Sequence, residues 1–214
     1  MKSVAVAGAS GLVGSSLLQL LLSDCERVAA VTRRPFGISN PKLVEIAGDF
    51  EHLAPLGEID AAFCALGTTI KKAGSQEAFR RVDAAYVVAF AKAAHEAGAK
   101  RFAVVSSVGT EVDSSNFYLR VKSEMEEAVR AIPFEGVYIM RPSFLMGDRP
   151  EARAGEKTGI AVSRALSFLL IGGLRRYRPI HVDDVARAMV GAVRKGPDGR
   201  HVYEYDDLPR LAGR

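Results

Sequence analysis

The chain has 214 residues, 48% of them hydrophobic, with a formal net charge of +4; this length suits one well-cored domain and is short for two. Its basic residues are interspersed with acids, which argues against a nucleic-acid partner, and no apolar run reaches the roughly 18 residues a membrane span requires. Cys25 and Cys64 form no metal or disulfide pattern and Met1-Lys2 leads straight into the first strand, so the expectation is a cytoplasmic protein with reduced thiols, no metal and no leader.

In chain order the apolar run Ser3–Ala7 reads as a strand, followed by Gly8-Ala-Ser-Gly11-Leu-Val-Gly14 and an amphipathic helix over Gly11–Ser23. Three glycines at three-residue intervals between strand and helix are the requirement of a pyrophosphate site. Gly8 permits the tight exit from the strand, Gly11 lets phosphates approach the backbone, and Gly14 lets the helix pack closely. The helix N-terminus then offers unpaired N–H donors to the anion. The second strand, Arg27–Thr32, ends at Thr32-Arg33-Arg34. An NAD site usually places an acid here for the ribose 2′-hydroxyl, whereas arginine forks onto a 2′-phosphate. The expected cofactor is therefore NADP(H) rather than NAD(H).

Further strands are expected at Lys42–Ile46, Ala61–Leu66, Arg101–Ser106, Gly136–Arg141 and His201–Tyr205, and helices at Ser75–Gly98, Asn116–Ile132, Lys157–Ile171 and Val182–Lys195. Strands alternating with helices of this length predict an α/β, three-layer, doubly wound fold with a mostly parallel sheet. After the third strand, Gly48-Asp49-Phe50 sets an acid where the adenine edge would lie. The polar break Gly147–Gly155 opens a small substrate-binding portion at about 147–180, without making a second domain. Arg175-Arg176-Tyr177-Arg178 fits a solvated loop and an anion site equally well. His181 reads as a helix-entry residue with Asp183 or Asp184 capping, and Cys64 as core.

The chemistry sits after the fifth strand, at Ser106-Ser107 and the helical Tyr118-Leu-Arg-Val-Lys122. Residues four apart on a helix share a face, so phenol and ammonium point into one cleft. The ammonium favours the phenolate, and a serine at the strand end can hold a carbonyl or alcohol oxygen beside it. That set equips a site for hydride transfer with proton exchange.

Taken together, Gly8-x2-Gly11-x2-Gly14, Ser107, Tyr118-x3-Lys122, Arg141-Pro142 and Ile180-His-Val-Asp-Asp-Val-Ala186 resemble the extended and atypical short-chain dehydrogenase/reductases. Cys64-Ala-Leu-Gly67-Thr-Thr69, Arg81-Val-Asp83, Ser114-Ser-Asn-Phe117 and Gly147-Asp-Arg149 resemble the Tat-interacting-protein branch. The resemblance implies a sheet in the order 3-2-1-4-5-6-7. It also implies that Gly8, Ser10, Gly11, Leu12 and Val13 hold the pyrophosphate, and that Arg33 and Arg34 meet the adenosine end, with Asp49 at the adenine. Leu66, Gly67 and Thr68 would line the cofactor's middle, and Pro142 and Ser143 would border the nicotinamide. Tyr118 would be the acid/base, Lys122 would bind the nicotinamide ribose and tune Tyr118, and Ser107, a better match than Ser106, would supply the catalytic hydroxyl.

Where that family usually has Arg-Pro-Gly, this chain has Arg141-Pro142-Ser143. The stretch from Gly147 to Pro179 is shorter than in sugar-nucleotide epimerases, which points to a small substrate. The expected function is an NADP(H)-dependent oxidoreductase acting on a small carbonyl or alcohol. Its rival is a binding protein whose NADP(H) occupancy signals redox state to a protein partner. Alanines 84, 85, 89, 93 and 94, spread over more than one helix face, point to a homodimer.

Overall fold

Alternation sorts the strand side chains between two faces. In β1 (Ser3–Ala7), Val4 and Val6 join one buried cluster while Ala5 and Ala7 join the other. The same division runs through β2 (Arg27–Thr32), β4 (Ala61–Cys64), β5 (Arg101–Val105) and β6 (Gly136–Met140). Strands buried on both faces need helices on both. Helix α1 (Leu12–Asp24) covers one side with Val13, Leu17, Leu18 and Leu21. The other side carries Phe79, Val87, Phe90, Val121 and Met125, each contributing about 1.5–3 kcal/mol by leaving water.

The computed structural model describes residues 1–147 and 170–213. Its main sheet has seven strands in the order β3-β2-β1-β4-β5-β6-β9, with β3 at Leu43–Ala47 and β9 at Gly199–Tyr203, and every pairing is parallel. This is the expected Rossmann-type order, with β9 as the seventh strand. Two-residue strands β7 (Leu145–Met146) and β8 (Ile180–His181), unforeseen because they are too short to show a pattern, pair apart from the main sheet. The last strand starts two residues earlier than predicted. Gly199, at φ 108, takes up the turn and donates its N–H to the Glu135 carbonyl at 2.8 Å.

The long helix expected over Ser75–Gly98 is not continuous. A one-turn helix α2 (Ile70–Ala73) comes first, its N-terminus capped by Thr69 and its end turned by Gly74 at φ 87. Ser75 then caps α3 (Gln76–Arg80), a π-helical turn spans Arg81–Ala85, and α4 (Tyr86–Glu96) follows. Residues 117–130 form α5 (Phe117–Arg130), close to expectation, with Asn116 accepting from the Tyr118 N–H at 2.9 Å. Helix α6 (Val182–Lys195) lies against α1, and α7 (Asp207–Leu211) closes the described chain. At the start of α6 the cap is His181 itself, accepting from the Asp183 N–H, and not Asp183 or Asp184. The Asp183 carboxylate instead accepts from the Ser16 hydroxyl at 2.7 Å, tying α6 to α1. The helix expected from Lys157 lies, but for its last two residues, outside the described residues, as does much of the segment assigned to substrate.

Candidate active site

The glycine turn is a close backbone contact. Gly8 stands at φ 80, and a Cβ there would lie 2.5 Å from the Ala65 carbonyl carbon and oxygen. The Gly8 carbonyl accepts from the Gly11 N–H at 2.9 Å. A Cβ on Gly14 would lie 1.9 Å from that same carbonyl oxygen. The turn therefore brings the start of α1 onto the end of β1, between β1 and β4, where the direction of strand addition reverses. Ligands of open α/β sheets bind at this switch point. Among the described residues no side chain caps α1, whose N-cap is Gly11 and whose first turn carries no acid, so its N–H groups and positive dipole end suit an anion. A pyrophosphate fits this cradle. Within it Ser10 and Gly11 are exposed, Leu12 is half-buried, and Val13 packs its side chain into the core. Val13 can thus offer a phosphate only its backbone.

Two adjoining cavities extend from the turn. The larger, about 1140 Å³, is lined by Ser10, Thr32, Arg33, Arg34, Phe36 and Phe50 among others. The smaller, about 430 Å³, adds Gly67, Thr68, Lys72 and Arg81. Both share Gly8, Ser10, Arg33 and Leu66, so a long ligand can run through them. Arg33 and Arg34 are exposed at the mouth, and among the described residues neither guanidinium forms an ion pair. Thr32, where an acid would select NAD, is engaged locally, its hydroxyl bonded to the Arg34 backbone. Asp49 is also turned to local use. Its carboxylate accepts from the Glu51 and His52 N–H groups at 3.0 and 2.9 Å, and the neighbouring Phe50 lines the cavity instead.

Beyond the smaller cavity, the first turns of α5 carry the expected acid/base pair. Tyr118 is half-buried, its ring centroid 5.3 Å from that of Phe79. Lys122, one turn on, is 3% exposed, and its Nζ lies 2.7 Å from Oδ1 of Asp83, itself 1% exposed. The other Asp83 oxygen accepts from the Thr68 N–H at 2.8 Å. Burial pulls the Lys122 ammonium toward neutrality, but Asp83 first and Tyr118 second outweigh it and hold the lysine above its ordinary pKa. Cys64, buried below them in β4, has its thiol pushed up to about 12 by burial.

The two serines after β5 have different surroundings. The Ser106 hydroxyl is buried and donates to Glu126 at 2.6 Å. Glu126, 1% exposed, also receives Arg141 through Nε at 2.9 Å and Nη2 at 2.7 Å, and Arg130 at 3.0 Å. This cluster pins the ends of β5 and β6 to α5. Ser107 is half-buried, and among the described residues its hydroxyl makes only a long 3.4 Å contact to the Val108 carbonyl. The turn that follows Ser107 lies against α5, with Gly109 close to Leu119. The Pro142 carbonyl accepts from the Val108 N–H at 3.0 Å, and the Ser143 hydroxyl donates to the Arg178 carbonyl. The basic cluster is partly engaged, with Arg175 paired to Asp206 at 3.0 Å and Arg178 donating to the Leu170 carbonyl.

Lys72 and Arg81, which line the smaller cavity, and Asp83, buried behind it, had no site role in the sequence reading, although Arg81-Val-Asp83 is among the residues that carry the family resemblance. The signal for Asp83 was present, since a lone acid in the apolar stretch Val82-Asp-Ala-Ala faces burial and must find a partner. Lys72 carried no comparable mark.

Residues 8–195 match the family described as NAD(P)H-binding. Protein HTATIP2 of Rattus norvegicus is 37% identical over 164 residues, covering 72% of this chain and 67% of that protein. Protein FMP52, mitochondrial, of Candida albicans is 30% identical over 226 residues, 98% of each. Among solved structures, MoeE5 in complex with UDP-glucose and NAD superposes with a TM-score of 0.68 at 21% identity, over 99% of this chain and 81% of that one. Human epimerase family protein SDR39U1 with NADPH gives 0.65 at 20% identity, over 94% and 74%. These two likenesses bear on the fold.

Proposed function

The chain belongs to the NAD(P)H-binding, atypical short-chain dehydrogenase/reductase family, and on that premise we propose that it is an NADP(H)-dependent oxidoreductase interconverting a small carbonyl compound and its alcohol. The observation that carries the reading is the buried, charged Lys122 one helical turn from Tyr118, at the end of a glycine-walled, cation-lined cleft.

When bound, the dinucleotide supplies or accepts the hydride at the substrate carbon. In reduction, Ser107 holds the carbonyl oxygen and the Tyr118 hydroxyl gives it a proton, so carbon gains hydride and oxygen gains the proton. The Lys122 ammonium offsets the charge that Tyr118 acquires and has N–H donors left for a ribose. Arg33 and Arg34 meet the 2′-phosphate, which favours NADPH over NADH. A small substrate is favoured by the short stretch after Gly147. Both cysteines are free and buried, which supports a reducing compartment, and we read it as the cytoplasm. Among the described residues no helix is long and apolar enough to cross a membrane.

The test is a panel of small aldehydes, ketones and quinones with NADPH and with NADH. Tyr118→Phe deletes one hydroxyl and keeps the ring against Phe79. It should cost about 10²–10⁴ in rate, the usual worth of a general acid, with cofactor affinity nearly unchanged. Full activity in Tyr118→Phe would show the acid/base assignment to be wrong. Tight NADPH binding with no turnover on any panel member would favour the signalling alternative.

A further inference from the structure

Asp83 and Lys122 are almost fully buried, and their charged atoms lie 2.7 Å apart. Removing two ions from water is costly, and the pair survives only if the remaining valences are also met. Asp83 meets one with the Thr68 N–H, which belongs to the loop lining the smaller cavity. Gly67 lies in the same corner, where a Cβ would stand 3.5 Å from Asp83 Oδ1 and 4.0 Å from Lys122 Nζ. Asp83 is carried by the π-helical turn Arg81–Ala85, a local widening that re-aims side chains and is common at functional sites. Among the described residues, three titratable groups face Lys122: Asp83 from that turn, Tyr118 from α5 itself, and the Cys64 thiol from β4. Asp83 is the one carboxylate among them.

We propose that Asp83 is the positioning residue of this site, holding the Lys122 ammonium in place with one carboxylate oxygen and the cofactor-lining loop at Thr68 with the other. The lysine that serves the acid/base and the loop that receives the dinucleotide are thereby set by a single group. The proposal rests on the cleft being a dinucleotide site, but its test separates the two. In the full chain labelled with ¹⁵Nζ-lysine, the Lys122 resonance should remain that of an ammonium through pH 10, because Asp83 opposes the effect of burial. Asp83→Asn keeps an oxygen for Thr68 but removes the charge, leaving burial unopposed, which drives a buried lysine's pKa down by several units.

In this variant NADPH affinity, read by fluorescence, should lie within about threefold of wild type at pH 6.5. It should fall about tenfold further than wild type by pH 9, because burial with no carboxylate to oppose it pulls the Lys122 ammonium toward neutrality and only the charged form binds. A residue that merely fills space would not move that pH profile. Parallel affinity curves in the two proteins would overturn the proposal. So would a wild-type Lys122 that titrates below pH 9, a measurement that decides the matter even if Asp83→Asn does not fold. If neither protein binds NADPH, the cofactor reading fails while the Lys122 resonance still tests Asp83.

Discussion

Replacing Gly14 by alanine sets two effects of opposite sign against each other. Alanine in place of glycine within a helix is worth about 1 kcal/mol in propensity, and Gly14 lies in α1. Against this, the new Cβ would stand 1.9 Å from the Gly8 carbonyl oxygen, 2.7 Å from its carbon and 2.9 Å from the Ala9 Cα. All three are backbone atoms, so no rotamer change relieves the contact. Either α1 moves off the sheet or the Gly8 turn opens and strains its bond to the Gly11 N–H. Overpacking of this kind costs about 1–3 kcal/mol or more, and here it belongs at the upper end. The clash wins, leaving a net loss of about 2 kcal/mol, which lowers Tm by about 4–8 °C in a chain of this size.

Thermal melts and urea titrations would read that loss as a lower midpoint at unchanged slope. Gly11→Ala is the control. Its Cβ would meet the Gly8 oxygen at 3.2 Å, so stability should change little, while the methyl group intrudes where a phosphate would approach and NADPH affinity should fall. Gly14→Ala as stable as the wild type would refute the reasoning.

Arg33→Ala and Arg34→Ala should each weaken NADPH much more than NADH. Equal losses for both cofactors, or an NADH preference in the wild type, would remove the assignment to the 2′-phosphate. Cys64, with its thiol at about 12 instead of 9.0, holds almost no thiolate near pH 8. Iodoacetamide should therefore leave it unmodified in the folded protein and label it after denaturation, as mass spectrometry would show. On α4 and the turn before it, Ala84 and Ala94 are buried, whereas Ala85 is exposed and Ala89 and Ala93 are half-buried. Ala93 packs against the chain's own core, which leaves Ala85 and Ala89 as the surface for the expected homodimer; light scattering should give a dimer, and a monomer of about 23 kDa at micromolar concentration would exclude it.

Patterns of period two and of helical period are local, and the elements that carry them were readable. The strands that build the main sheet, the glycine turn, and Tyr118 with Lys122 on one helix face all follow from residues close in sequence. What escaped depends on pairing at a distance. Nothing around Asp83 announces Lys122, 39 residues on (122 − 83), and the break in the helix at Arg81–Ala85 has no glycine or proline to mark it. Ser106 and Ser107 are the same residue type side by side; the family resemblance favours Ser107, and the physical reason for the difference, Glu126 holding the Ser106 hydroxyl, comes from the next helix. Asp49 follows the third strand as its place in the chain predicts, and one of its carboxylate oxygens closes a turn with the next residues.

The π-helical turn has a consequence for how such a chain tolerates insertions and deletions. Each π turn holds one residue more than the α turn it replaces. Losing any one residue between Arg81 and Ala85 would let α3 and α4 run on as a single regular helix. The shorter α turn sweeps the same angle as the π turn it replaces, so the residues on the two sides of the deletion would keep their relative faces. Phe79 would keep its place in the core beside Tyr118, and Val87 and Phe90 theirs beneath α4. A deletion of three bases here would thus be felt within the turn, where it would re-aim Asp83 away from Lys122, even if the lost residue were the exposed Ala85.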